Sequence, residues 1–191
     1  MQGRMAPPLG VRGNIAAGSF DVVLEHQHAI NLLVENHLIG SALVMLRPMY
    51  DSCIAGLWSA YVATDRDLEK FNAGNYSIEP QKVIRDLKNS VDKKYLETLQ
   101  RLHKQSWKTL SNQVHGGNLQ VSRRNADTHV GPDYQAEEIA EILTFSNLMA
   151  IIAAMQIPDL TNDHEFSSEI EKVINEFFTF CGSPIPPLKI S

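Results

Sequence analysis

The sequence predicts an all-α fold, an irregular antiparallel bundle of about six to seven helices. Three observations lead there. Apolar residues recur every three to four positions through most of the chain, no segment shows the period-two alternation of a strand, and clusters of Gly, Asn and Pro cut the chain into helix-length pieces. At 191 residues, with 43% hydrophobic and 20% charged residues, one core can be buried and two comfortable ones cannot. Residues 19–191 are therefore read as a single helical domain.

Residues 1–18, "MQGRMAPPLGVRGNIAAG", hold two prolines and four glycines without periodicity and read as a flexible N-terminal arm. From about Ser19 to His37, the spacing of Val22, Val23, Ala29, Ile30, Leu33, Val34 and Leu38 gives a helix with one buried stripe. Gly40 separates it from a second helix, Ser41 to about Thr64, which is apolar nearly all round and so belongs at the centre of the bundle. Pro48 falls inside that helix, strips the Val44 carbonyl of its usual donor and predicts a kink. Thr64 and Asp65 offer an N-cap for a short helix ending near Phe71, and "NAGNYS" is a loop. A fourth helix starts near Glu79, with Pro80 in the first turn where its missing N–H costs nothing. Asp92 caps a fifth, whose inner side is Leu96, Leu99, Leu102, Trp107, Leu110 and Val114. "PDYQAEEIAEILTFSNLMAIIAAMQIP" is a long sixth helix, with acids facing the positive end of its dipole and Pro158 as its stop. The last helix, about Asp163 to Cys181, ends at Gly182.

Composition narrows the function classes. A formal net charge of -5 argues against wholesale nucleic-acid binding, which draws its affinity from a basic surface. The charge is segregated, however. Lys82, Arg85, Lys88, Lys93, Lys94, Arg101, Lys104 and Lys108 make one segment basic, while Glu137, Glu138, Glu141, Asp159, Asp163, Glu165, Glu169 and Glu171 make the C-terminal half acidic. Such a dipolar chain suits head-to-tail docking, self-association or a protein partner as well as RNA. The uninterrupted apolar run "LMAIIAAM" falls far short of the ~20 residues of a bilayer span, and no charged-then-apolar leader opens the chain. The expectation is a cytoplasmic protein without a membrane partner, with Cys53 and Cys181 as reduced core thiols. No cofactor or metal is expected: His26 and His28 face apart on their helix, and neither a phosphate-cradling glycine loop nor a Gly-x-Ser-x-Gly elbow is present.

Two places carry chemistry. In "VMLRPMYDS", Arg47 and Asp51 lie four apart on the most apolar helix, so they share a face and can pair. Desolvating two ions costs several kcal/mol, so burial of the pair requires further hydrogen-bonding groups to converge on it. Such a pair is either a fold-specifying internal bridge or part of an active site. The second place is "QVHGGNLQVSRRNADTH", a polar loop by its glycines. His115, one turn beyond Ser111, sits at a helix C-terminus, where the dipole favours a cation; Arg123 and Arg124 project to opposite sides if the backbone is extended.

Within this loop, "RNADTH" resembles the short motif of the HEPN superfamily of helical nucleases, in which the motif lies on a helix. That resemblance implies metal-free RNA cleavage, a histidine assisting proton transfer at a 2′-hydroxyl and an arginine stabilising charge on phosphate, roles that would fall to His129 and Arg124. A broader resemblance covers about residues 19–156. "SALVMLRPMYDSCIAGLW", "VHGGNLQVSRR" and "PDYQAEEIAEIL" look like a bacterial family of about this length that carries only a domain-of-unknown-function label. It implies Arg47, Asp51, His115, Arg123 and Arg124 as the marked positions, with His115 ranked above His129. Families of this kind occur near toxin, antitoxin and phage-defence genes, an association without mechanism.

Two functions follow as expectations. One is a HEPN-like homodimer whose polar pocket of Arg47, Asp51, His115 and one tandem arginine binds or cuts RNA. The other is a non-catalytic interaction module, an adapter or antitoxin-like partner.

Overall fold

The computed structural model describes residues 9–91, 93–114, 121, 124–126, 129–130, 133–161 and 164–181. The helices are α1 (Gly10–Glu35), α2 (Ile39–Tyr61), α3 (Asp65–Asn72), α4 (Pro80–Asp86, continued by a 3-10 turn at Leu87–Asn89), α5 (Lys93–Val114), α6 (Ala136–Thr161) and α7 (His164–Cys181). The all-α architecture is as expected. One addition is a minimal antiparallel hairpin, β1 (Asn125–Ala126) with β2 (His129–Val130), pairing Asn125 with Val130 and Ala126 with His129.

The central place of α2 follows from its composition. Thirteen of its residues are buried, from Ile39 to Ser59, and α1, α4, α5 and α6 all pack on it. Helix α6 also packs on α1, and α7 packs on α6. The approach of α1 to α2 is made at Gly56, which has no side chain in the way: a Cβ there would stand 2.7 Å from Cδ1 of the fully buried Phe20.

Helix α1 starts well before Ser19, so residues 10–18 are its first turns and not part of an arm; residues 1–8 lie outside the described residues. Tertiary contacts override the poor helix propensity of three glycines here. Ala16 is fully buried. The Arg12 guanidinium donates to the carbonyls of Ser59 (2.7 Å) and Ala63 (2.8 Å), closing the C-terminal end of α2, and pairs with Asp65 at 3.1 Å. The Ser59 hydroxyl in turn donates to the Arg12 carbonyl. Orphan carbonyls at a helix end attract a cation on both hydrogen-bonding and dipole grounds.

The remaining boundaries have local causes. Helix α1 ends in a Schellman arrangement, with the amide of Leu38 bonded to Leu33 O and that of His37 to Val34 O. His37 takes the left-handed position (φ 57) that glycine usually occupies. Thr64 and Asp67 form a reciprocal capping box that starts α3. Pro80 opens α4 as expected. Pro48 is accommodated within α2, which is helical throughout Ile39–Tyr61.

Pro158 does not stop α6, which runs on to Thr161. Its missing N–H takes one donor from the Ala154 carbonyl, and near the end the Thr161 hydroxyl donates to Ile157 O at 2.9 Å. Counting only the uninterrupted run also understates this helix. At 26 residues and a mean hydropathy of 1.5 in its most apolar stretch, α6 is long and apolar enough to cross a membrane by length and composition. Its Ile142, Phe145, Leu148, Met149, Ile152 and Ala153 are buried against the bundle. Cys53 is a buried free thiol whose pKa burial pushes up to about 12, so it is inert.

Two substitutions test this account by urea unfolding. Gly56→Ala is expected to cost a net 1–2 kcal/mol, roughly, because overpacking against Phe20 outweighs the gain in helix propensity of about 1 kcal/mol. His37→Gly should instead stabilise by about 1 kcal/mol through relief of the left-handed backbone.

Candidate functional site

Helix α5 brings three residues to α2 from one face: His103, Trp107 and Ser111 recur every four positions. They meet Arg47, Tyr50 and Asp51, which share neighbouring faces of α2.

Arg47 is the centre of this contact. Its Nε donates to Asp51 Oδ2 at 2.8 Å and its Nη1 to Ser111 Oγ at 2.5 Å. The guanidinium carbon lies 3.8 Å from the centroid of the Trp107 ring. Ser111 Oγ passes its own proton to Trp107 O at 2.8 Å. A planar cation with a fixed fork of donors suits an arrangement of edge partners and a ring face. The side chain of Arg47 is 18% exposed and that of Asp51 is 46% exposed. The expectation of burial therefore holds for the arginine and is corrected for the acid, because Asp51 is at the rim of the α2–α5 contact and keeps water on one side.

Beside this ion pair, Tyr50 Oη and His103 Nδ1 are hydrogen-bonded at 2.8 Å. The imidazole stands 5.1 Å from the Trp107 ring, and Tyr50 packs edge-on to Trp107 at 5.9 Å. Burial first, and the positive charge of Arg47 second, lower the His103 pKa, so the ring favours its neutral form. Burial, reinforced by Cys53 and Asp51, raises the Tyr50 pKa and keeps its hydroxyl protonated. With that hydroxyl accepting from Nδ1, Nε2 offers a lone pair; with it donating, Nε2 carries a proton.

Arg124 is elsewhere. It enters the hairpin from a turn in which its amide bonds to Val121 O, and its guanidinium reaches the head of α2. A Cβ on Gly40 would be 3.2 Å from Arg124 Nη2 and 3.0 Å from Tyr134 Oη. Gly40 and Arg47 are seven residues apart, two turns along one stripe and about 10 Å along the axis. Of the two tandem arginines expected to join Arg47 and Asp51, Arg124 thus stands at a second station on α2. His115 and Arg123 lie outside the described residues, as does the side chain of His129, whose backbone pairs in β2. Asn125, Ala126 and His129 of "RNADTH" lie in this ladder, where a HEPN motif lies on a helix.

His103 and Tyr50 were missed as site residues. Their signal was present: His103 precedes Trp107 and Ser111 at four-residue intervals, which aims all three at whatever α5 packs upon. Among the described residues, no group of three or more His, Cys, Asp or Glu could hold a metal ion.

The fold and this cluster define a class: a helical bundle with a charged and aromatic seam between its central helix and a basic neighbour. The chain belongs to the family of unknown function DUF6988, whose model matches residues 20–182. Comparison with curated proteins and with solved structures gave no match.

The lowered His103 pKa has a consequence for stability. Between the folded value and the ordinary value near 6.5, the unfolded chain binds the proton that the folded chain refuses, so stability rises with pH in that window. Acidification from pH 7 to 5 should therefore lower the urea midpoint more in the wild type than in His103→Asn. Equal pH slopes would show that the environment of His103 does not disfavour its charged form.

Proposed function

We propose that the α2–α5 seam binds RNA through its phosphates and cleaves it without a metal ion. The observation that carries this reading is the neutral, half-buried imidazole of His103 beside a guanidinium fixed on Trp107. Arg47 supplies positive charge to a phosphate through the guanidinium N–H groups that its bonds to Asp51 and Ser111 do not use. Exposed Lys93, Arg101 and Lys104 on α5 add the basic surroundings that the net charge of the whole chain hides.

In the proposed step, His103 Nε2 takes the proton of a 2′-hydroxyl and O2′ forms a bond to phosphorus. The P–O5′ bond breaks, and the leaving oxygen receives a proton from the imidazolium. The products are a 2′,3′-cyclic phosphate and a 5′-hydroxyl end, so atoms balance without a co-reactant. Arg47 stabilises the charge that grows on the phosphoryl oxygens. The reading agrees in chemistry with the HEPN resemblance and moves the proton-transfer role from His129 or His115 to His103.

A second reading is a non-catalytic interaction module, either a homodimer or an adapter with a protein partner in a toxin or phage-defence setting. It is favoured by the exposure of opposite charges on different helices: Lys93, Arg101 and Lys104 on α5 against Glu137, Glu169, Glu171 and Glu176 on α6 and α7. Complementary surfaces of this kind steer association and lose effect with salt.

Incubation of the purified protein with total cellular RNA, with analysis of the new ends, separates the two. Cleavage is expected to leave cyclic phosphates and to fall about 100-fold or more in His103→Asn. Arg47→Lys should not restore the wild-type rate, because an ammonium lacks the planar fork. A His115→Ala variant made in parallel decides which histidine acts. Intact RNA in the wild type, together with a salt-sensitive dimer by size exclusion, would replace the catalytic reading with the second one.

A further inference from the structure

We propose that the head of α2 is a separate binding site for a phosphate group, built from Arg124, the Tyr134 hydroxyl and the first amides of the helix. Three independent features meet there. Leu38 occupies the N-cap and gives no side-chain hydrogen bond, so the head of this 23-residue helix is uncapped. The amides of Ser41 and Ala42 both turn to the Leu38 carbonyl, and those of Ile39 and Gly40, the first donors of the helix, have no backbone acceptor among the described residues. The second feature is Tyr134 Oη, a buried oxygen on a partly buried side chain, without a hydrogen-bond partner among the described residues. A buried hydroxyl without a partner is destabilising in the free protein, and an acceptor brought by a ligand would satisfy it. The third is the guanidinium of Arg124, whose Nη2 stands 3.2 Å from the same point over Gly40 that Tyr134 Oη approaches to 3.0 Å.

The chemistry of these donors selects the ligand. A guanidinium, a phenol and two helix-terminal amides all donate, and no carboxylate is among them. An oxyanion with several acceptor oxygens satisfies them together, and the positive end of the helix dipole favours a dianion over a monoanion. The absence of a side chain at position 40 lets both donors close down on the backbone, as at other sites where a helix head holds phosphate. Phosphate at this position would come either as a free small molecule or as the terminal group of a nucleic acid. The proposal rests on residues two turns away from the α2–α5 seam and stands whether or not that seam cuts RNA.

The test is calorimetric titration of the full chain with inorganic phosphate, in parallel with thermal melting. The wild type is expected to bind and to melt at a higher temperature with phosphate present. Arg124→Gln should weaken binding about tenfold or more, and Gly40→Ala should weaken it by less, because a Cβ there makes the two donors give way by only a fraction of an ångström. Tyr134→Phe separates the site from mere packing: it should raise the melting temperature of the phosphate-free protein while weakening phosphate binding. Short oligoribonucleotides with and without a 5′-phosphate then distinguish the sources. A preference for the phosphorylated end assigns the site to nucleic-acid termini, and equal affinity assigns it to small phosphates. No binding by the wild type at tens of millimolar phosphate, roughly, or a Tyr134→Phe variant that binds undiminished, overturns the proposal.

Discussion

Burial of α2 on nearly every side is the constraint from which the rest of the molecule follows. Four helices pack on it, and the closest approach is made possible by Gly56 under the ring of Phe20. A helix buried in this way can carry a charge only where a neighbour resolves it, because an unpaired guanidinium in the core would cost several kcal/mol. Arg47 is that charge, and three groups answer it: Asp51 one turn on, Ser111 at its edge and Trp107 beneath its plane. The sequence of α5 is therefore read most directly through α2. Its apolar positions Leu99, Leu102 and Leu110 fill the core, and the interleaved His103, Trp107 and Ser111 meet the polar turn.

Helices were legible wherever periodicity was long and the local chemistry of the ends agreed with it. The capping box at Thr64 and the proline at the start of α4 act within a few residues, and both were visible in the sequence. The start of α1 was not. Gly10, Gly13 and Gly18 argue against a helix locally, and what overrides them is distant: the end of α2, whose carbonyls Arg12 closes. Pro158 misleads for the related reason that its lost bond and its ring fall on the preceding turn, which the packing of Phe145, Met149, Ile152 and Ala153 holds in place. The hairpin at Asn125–Ala126 was invisible because two residues cannot show a period.

The polar site was legible in part. The i, i+4 spacing of Arg47 and Asp51 predicts their contact, and the cost of burying the arginine predicts that other donors and acceptors gather on it. Which residues gather depends on how α5 is rotated about its axis, and that is set by the leucines and not by the polar residues themselves. His115, with its glycine neighbours, carries the louder signal in the sequence, because binding and catalytic residues are concentrated on loops. His103 sits in mid-helix among ordinary neighbours, and only the packing of α5 on α2 makes it the partner of Tyr50. Arg124 shows the reverse case, since its position over Gly40 depends on a connection whose path no local pattern dictates.

Whether Arg47 is only a structural bridge can be weighed from exposure. A bridge whose acid is nearly half exposed returns at most about 1 kcal/mol, since water screens the attraction. The arginine itself is largely withdrawn from water, so Asp51 alone does not offset its desolvation. The stack on Trp107 and the bond to Ser111 make up much of the difference. A core position filled by leucine would meet the same packing need without any of these partners, and the rest of α2 shows that the chain uses such residues freely. The arrangement costs desolvation that a leucine would not, and what it returns is a positive charge held in one place at the α2–α5 contact.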